Sequence, residues 1–377
     1  MNICMVSPSF GYGGANIIAA KMGKTLNDSH NIIYYSYNYR DNYSDLPQDK
    51  LFFYEGSQHK ILNKVGKGIE YIVRKREFIP YRYYGGEIKR LYQLIEDFEV
   101  DCVILNSFIA VSIFAIPLRS KYPDIKQIAW MHESVEHSFG SLAKNYLTTY
   151  KNSLITVDSI VCLTKTDLDV FMQYNPQSMV IHNPVTFSSG RKSSLNKKVI
   201  SFTSRLDIEI KGLDYLIKLA KMIPKDWKIR VAANGTKNQI KDFVQLIEKN
   251  DVQDIIEFVG ALKGEELIEH YLNSSIFIST SRIESFQLVL IEAMECGLPV
   301  ISFKHSGAKE ILDNGKYGIL IDNYNVEEMS KKIAMLCNSM DERLKWQKSS
   351  LIRVHDFDLK MIKKQWMFLL DSLGVKK

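Results

Sequence analysis

Along this chain, short apolar runs alternate with stretches whose apolar positions recur every three or four residues, a rhythm that predicts strands and helices in succession. Runs at 3–6, 31–35, 102–105, 127–130, 159–163 and 179–181 read as strands, with helices at 15–26 and in a stretch ending near Phe98. After Pro184 the segment 186–198, Thr-Phe-Ser-Ser-Gly-Arg-Lys-Ser-Ser-Leu-Asn-Lys-Lys, is polar and nearly free of large apolar residues. It reads as an interdomain linker. The alternation then restarts, with strands at 199–203, 228–232, 255–259, 276–279, 300–303 and 318–321 and helices at 213–222 and 239–249. Alternation of this kind argues for parallel, doubly wound sheets of the α/β class, one on each side of the linker. The tail 356–373 carries Phe357, Ile362, Trp366, Leu369 and Leu370 on one helical face, too apolar for a loose end.

Composition narrows the classes. A length of 377 residues fits two to three domains, and 46% hydrophobic with 24% charged residues is ordinary for a globular protein with sizeable cores. No apolar run reaches the roughly 18 residues of a membrane span. The opening Met-Asn-Ile-Cys-Met-Val-Ser reads as a first core strand and not as a leader, so a cytoplasmic location is expected. Cys4, Cys102, Cys162, Cys296 and Cys337 are scattered, without a C-x-x-C pair, and read as buried thiols.

Charge is local. Between 60 and 90 there are nine Lys/Arg against three Glu, which accounts for the whole net charge of +6. Lys64, Lys67, Arg74, Lys75 and Arg76 lie there with Tyr71, Phe78, Tyr81, Tyr83 and Tyr84, and with Leu62, Val65, Ile69, Ile72 and Val73 at helical spacing. Two readings stand: a surface for an anionic membrane or polyanionic acceptor, or a basic solvated helix packed on the domain by its apolar stripe.

The densest chemistry is the string Ser281-Arg-Ile-Glu284-Ser-Phe-Gln-Leu-Val-Leu-Ile-Glu292-Ala-Met-Glu-Cys-Gly297-Leu-Pro299-Val-Ile. A strand at 276–278, a turn at 279–285 and a helix ended by Gly297 and Pro299 put Glu284 on the turn and Glu292 about two helical turns on. Unpaired N–H groups at a helix start suit a diphosphate, and carboxylates accept hydrogen bonds from sugar hydroxyls.

This string resembles the signature of the family 4 glycosyltransferases, retaining enzymes of the GT-B fold: two Glu separated by seven residues, then Ala-Met, a small residue and Gly-x-Pro-Val. The resemblance implies that Glu284 holds hydroxyls of the donor sugar and Glu292 the ribose, with Ser285, Phe286, Gln287 and Leu288 against the donor. Where the family usually has Gly, this chain has Gln287, a side-chain amide at a position of close backbone approach. The segment from Ser204 through Arg205 and Lys211 to Gly212 is similar to the family's Gly-Arg-Leu…Lys-Gly. Arg205 and Lys211 would neutralise the diphosphate, whose negative charge grows as the sugar–phosphate bond breaks. Asn234 and Gly235, and Gly260, Ala261 and Leu262, fall where similar enzymes cradle the donor with backbone groups. Ser306-Gly307-Ala308-Lys309-Glu310 stands in place of the commoner Gly-Gly-x-Pro-Glu.

In the first half, Gly11-Tyr-Gly13-Gly14-Ala15 follows the first strand, but Asn16 breaks the G-x-G-x-x-G spacing and disfavours a dehydrogenase. Gly13 and Gly14 match the family's Gly-Gly turn. His132 matches the family His that contacts the donor sugar. A zinc reading of His132-Glu-Ser-Val-Glu-His137 fails, because residues five apart on a helix point about 140° apart. The pair Asp167/Asp169 reads as helix capping.

The resemblance implies two Rossmann-like domains facing a cleft, 1–185 for the acceptor and 186–355 for the nucleotide-sugar, with 356–377 returning to the first. The expected activity is retaining hexosyl transfer from a nucleotide-diphosphate sugar, here a UDP-sugar, to a glycan or lipid-linked acceptor in bacterial cell-surface polysaccharide synthesis. No metal or other cofactor and no nucleic acid are expected, and attachment would be peripheral, at the inner face of the cell membrane. Alternatives are a teichoic-acid or protein glycosyltransferase, an epimerase of the same fold, and a catalytically silent nucleotide-sugar-binding subunit.

Overall fold

The computed structural model describes residues 1–56, 60–74 and 76–374, for 60–62 the backbone only. It divides into two compact units. One is Met1–Asn183 together with the chain from Lys360 onward; the other is Pro184–Leu359.

The first unit holds, among the described residues, seven parallel strands: β1 Asn2–Ser7, β2 Asn31–Ser36, β3 Leu51–Phe53, β4 Cys102–Asn106, β5 Lys126–Trp130, β6 Ser159–Cys162 and β7 Ser178–Val180, in the order β3-β2-β1-β4-β5-β6-β7. The second holds six, also parallel: β8 Val199–Arg205, β9 Lys228–Asn234, β10 Ile256–Gly260, β11 Ile276–Ser279, β12 Val300–Phe303 and β13 Ile319–Ile321, in the order β10-β9-β8-β11-β12-β13. Helices cover both faces, so β4, β6, β11 and β12 are buried at every position. That double burial is why their sequences are mostly apolar, with Ser or Asn as the remaining residue of each. In each sheet the winding direction reverses, beside β1 and beside β8, and open parallel sheets hold ligands beyond the strand carboxyl ends at such a reversal.

The segment 186–198 is not a free linker. Its polar groups are bonded within the second unit: the Ser189 backbone N–H donates to Glu295 (3.0 Å), Arg191 pairs with Glu265 and Glu269, and Leu195 is fully buried. Polarity misled there because these residues meet polar partners distant in sequence.

The tail also differs in detail. Phe357 lies in a short 3₁₀ turn, His355–Phe357, against Phe286 (5.7 Å) in the second unit, and does not share the face of the helix Leu359–Ser372. That helix buries Ile362, Trp366, Leu369 and Leu370 in the first unit, with Trp366 edge-on to Trp130 at 4.7 Å. Removing a buried Trp of this kind costs about 3–5 kcal/mol.

The basic segment forms the helix Lys60–Val73, and this helix is inside out. Its polar residues Asn63, Lys67 and Glu70, spaced for one face, turn inward. Asn63 donates to the Tyr83 carbonyl (3.1 Å), Glu70 accepts from Arg82 (2.7 Å) and Tyr83 (2.9 Å), and Lys67 Nζ lies 5.0 Å from the Tyr84 ring and 5.5 Å from that of Tyr83. Val65, Ile69, Ile72 and Val73 are 57–79% exposed. These four residues of the apolar stripe therefore do not pack on the domain, the Leu62 side chain lying outside the described residues, and Lys67, grouped by sequence with the surface cations, is a half-buried cation under aromatic rings. Lys64, Arg74 and Arg76 are exposed. Lys75 lies outside the described residues.

Candidate functional site

In the second unit the site grows from loops after β8, β11 and β12, three adjacent strands. The loop after β8 turns at Gly212, whose φ is +63° and whose missing Cβ would sit 2.0 Å from the Thr280 carbonyl oxygen. Only glycine permits that approach of the β8 loop to the β11 loop. Thr280 Oγ1 then donates to the Lys211 carbonyl (2.9 Å), and Lys211 Nζ reaches Glu284 Oε1 in a largely buried ion pair. Ser281 Oγ donates to the same oxygen at 3.1 Å. Burial pushes the Glu284 carboxyl up, but Lys211 and His305 beside it prevail and hold it below the usual carboxylate range.

Gln287 completes this chain. Its Nε2 donates to Ser279 Oγ (2.8 Å) and Ser281 Oγ (3.2 Å), so the amide folds under the turn and steadies the serine that holds Glu284. With φ at −87° the position makes no demand for glycine. Only its backbone, as the cap of the helix Leu288–Glu295, is left for a ligand.

The Glu284 carbonyl accepts from Ser306 Oγ (3.1 Å) and Gly307 N–H (3.3 Å). A Cβ on Gly307 would stand 2.4 Å from the Ser285 carbonyl oxygen, so the β12 loop also needs a glycine to close on the β11 loop. His305 enters the cluster on this loop. Burial pushes its imidazole down to about 4, so it is neutral at physiological pH.

Glu292 lies apart from that pair. Its Oε1 accepts from Thr186 Oγ1 (2.6 Å) and its Oε2 from Tyr271 OH (3.0 Å), tying the start of the unit to its helix. Arg205, the last residue of β8, is exposed and forms no ion pair among the described residues. It lies in register with Asn234 at the end of β9, followed by Gly235, and Gly260 ends β10, followed by Ala261 and Leu262. The predicted donor residues thus line one carboxyl edge of one sheet. Ser285 and Phe286 are buried.

In the first unit, strands β1, β4 and β5 end in a second polar cluster. His132 Nε2 lies 2.6 Å from Asn106 Oδ1, and Asn106 Nδ2 donates to Ser7 Oγ (3.1 Å), which donates to the Ser9 carbonyl (2.9 Å). Burial pushes His132 down to about 3, so the ring is neutral. Because Asn106 presents its oxygen, Nε2 carries the proton and Nδ1 is left as an acceptor. Next to Asn106, Ser107 has a φ of 114°, a strained value for a residue with a side chain. Gly13 caps the helix Gly14–Leu26 on the neighbouring β1 loop, and Gly14 is exposed. Asp167 and Asp169 lie within the helix Lys165–Phe171, whose cap is Thr164, its Oγ1 accepting from Asp167 N–H (3.1 Å); the Asp167 carboxylate accepts from Thr164 Oγ1 (2.7 Å) and Val135 N–H (2.8 Å) and so holds the segment after His132. Among the described residues no three His, Cys, Asp or Glu side chains gather as a metal site.

Sequence reading missed Ser7, Asn106, Ser281 and His305. The available signal was a polar residue closing or just following an apolar strand run, as in Val-Ile-Leu-Asn106 and Ile-Ser-Phe-Lys-His305.

Two doubly wound parallel sheets, a C-terminal helix returned to the first, and ligand-type residues on the strand carboxyl edges define the GT-B architecture. Residues 187–351 match the family model described as Glycosyl transferases group 1. The chain is 27% identical over 307 residues to an uncharacterized glycosyltransferase of Haemophilus influenzae, covering 80% of this chain and 84% of that one. Its fold is similar to that of sucrose-phosphate synthase from Thermosynechococcus elongatus, with a TM-score of 0.81, 16% identity and 99% of both chains covered. It is also similar to Anabaena HepE in complex with UDP-glucose, with a TM-score of 0.76, 19% identity, and 99% of this chain and 100% of that one covered. The chain is a glycosyltransferase, an enzyme that moves a sugar from a nucleotide-diphosphate donor to an acceptor.

Proposed function

We propose that the chain is a retaining glycosyltransferase of the family 4 type that uses a UDP-sugar and extends a glycan or lipid-linked acceptor in bacterial cell-surface polysaccharide synthesis. The observation that carries this reading is the buried Lys211–Glu284 pair on the same sheet edge as the exposed Arg205. Cation and carboxylate side by side suit a ligand that is an anion at one end and a polyol at the other, which is the chemistry of a nucleotide-sugar. The UDP-glucose bound to HepE supports uridine.

In this reading Arg205 and Lys211 face the diphosphate, Glu284 the sugar, and Glu292 the ribose. The acceptor oxygen forms a bond to the anomeric carbon on the face from which the phosphate leaves, and its proton passes to the departing phosphate oxygen. No carboxylate acts as nucleophile. Two fixed cations opposing the developing charge favour the transition state over the ground state. Within the first unit, His132 with Nδ1 as acceptor offers a hydrogen bond to a ligand hydroxyl and supplies no proton.

The exposed stripe Val65, Ile69, Ile72 and Val73 beside Lys64, Arg74 and Arg76 supports peripheral attachment to an anionic membrane from the cytoplasm. A polyanionic acceptor such as teichoic acid would use the cations but not the stripe.

A thermal-shift panel of UDP-, GDP-, ADP- and CMP-sugars tests the donor, since a ligand at 100 times its Kd adds about 2.7 kcal/mol. A UDP-sugar should shift the transition most, and the product should keep the donor's anomeric configuration. An inverted product, or stabilisation by another base alone, would overturn the reading, and failure of any donor to release nucleoside diphosphate would leave a silent binding subunit.

A further inference from the structure

Two polar groups beside the Lys211–Glu284 pair are buried without a hydrogen-bond partner among the described residues: His305 Nε2 and Ser285 Oγ. The residues are 9% and 7% exposed. Buried polar groups are normally paired, so two orphans at one place call for an explanation.

The His305 ring is not free to turn. Its Nδ1 accepts the Ala308 N–H at 3.2 Å, so in the neutral ring the proton sits on Nε2. Nearby acceptors are already engaged. Glu284 Oε1 takes Lys211 and Ser281, and the Glu284 carbonyl takes Ser306 and Gly307 while lying beside the ring outside hydrogen-bond geometry. The Glu284 carbonyl meets the ring only weakly, which leaves Nε2–H open to an acceptor from outside the chain. A neutral donor next to a carboxylate suits a neutral oxygen, because a phosphate would be repelled by Glu284 and has Arg205 on the same edge to meet it. Burial holds the ring neutral down to about pH 4, so it serves as a hydrogen-bond donor and not as an acid.

We propose that His305 is a specificity-determining residue whose Nε2–H donates to an oxygen of the transferred sugar, with Ser285 Oγ against the same sugar. The inference rests on the donor reading above. It gives the β12 loop a side-chain contact to the sugar.

The test compares His305→Asn with wild type. Asn keeps an oxygen to cap Ala308 N–H but does not reach the place of Nε2, whereas His305→Ala removes both and serves as the control for lost capping. Calorimetric titration with UDP, UDP-glucose and UDP-N-acetylglucosamine gives the gain in affinity of each UDP-sugar over UDP. In His305→Asn the melting temperature and the UDP affinity should match wild type, and that gain should fall roughly tenfold for the preferred sugar, the worth of one hydrogen bond. An unchanged gain would overturn the proposal, as would an equal loss of UDP affinity, which would move the ring to the diphosphate. Wild type that binds none of the three would refute the donor reading itself, and this inference with it.

Discussion

His132 Nε2 and Asn106 Oδ1, 26 positions apart in sequence, meet at 2.6 Å, and this contact decides which nitrogen of the ring is left for a ligand. Asn106→Leu should release the ring and lower kcat by about 10- to 100-fold, as expected for a mispositioned contact group, with UDP affinity unchanged. Asn106→Asp keeps the acceptor but adds charge beside the ring. It should restore most of kcat at high pH and introduce a new acid limb, which wild type should lack. Steady-state kinetics from pH 5 to 9 would show both effects, and a role confined to stability would move neither limb.

Lys211 and Glu284 depend on each other. Lys211→Ala leaves a carboxylate largely buried without its cation, which costs roughly 3 kcal/mol in stability, whereas Lys211→Ala/Glu284→Gln should recover part of it. Urea unfolding of the four-member cycle measures the coupling. In activity, Lys211→Ala should lower kcat/KM about 10- to 100-fold, the loss of a charge-assisted contact.

Glu133 should make stability depend on pH. Burial pushes its carboxyl up to about 7 from 4.5, and its Oε2 has no partner among the described residues. The folded protein therefore holds a proton that the unfolded chain has released, so this contribution is complete below pH 4.5 and is lost as pH rises to 7, about 3 kcal/mol in all. The buried His132, pushed down to about 3, and His270, to about 4, act in the opposite sense, losing stability as pH falls below 6.5. Glu133→Gln isolates the effect: its stability relative to wild type should rise between pH 4.5 and 7 and level off above. A flat difference would mean that Glu133 is ionised in the folded state.

The inverted helix Lys60–Val73 predicts binding to anionic vesicles at low salt. Ile69→Asp/Ile72→Asp and Lys64→Glu/Arg74→Glu should each abolish co-sedimentation while leaving UDP affinity intact, the first by removing the apolar stripe and the second the charge. Loss in the charge variant alone would point to a soluble polyanion.

If Arg205 and Lys211 oppose the diphosphate charge as proposed, EDTA should leave turnover unchanged. Loss of activity restored by Mn²⁺ or Mg²⁺ would overturn that division of labour.

Much of the fold was written in local pattern. Strands such as 102–105 and 276–279 are buried on both faces, so their apolar runs stand out without knowledge of neighbours, and the Glu284 to Pro299 string carries its strand, turn and helix within about twenty residues. The class of ligand followed from it. Tertiary structure decided the pairings. Lys211 meets Glu284 across 73 positions because β8 and β11 are neighbours, and His132 meets Asn106 because β4 and β5 are. It also reversed the helix Lys60–Val73, since periodicity locates an apolar stripe but not the surface it faces; here Tyr83, Tyr84 and Arg82 offered better partners to Asn63, Lys67 and Glu70 than any apolar surface offered to Ile69. Hydrogen bonds and ion pairs form between side chains that strand order brings together, and strand order is a property of the folded chain.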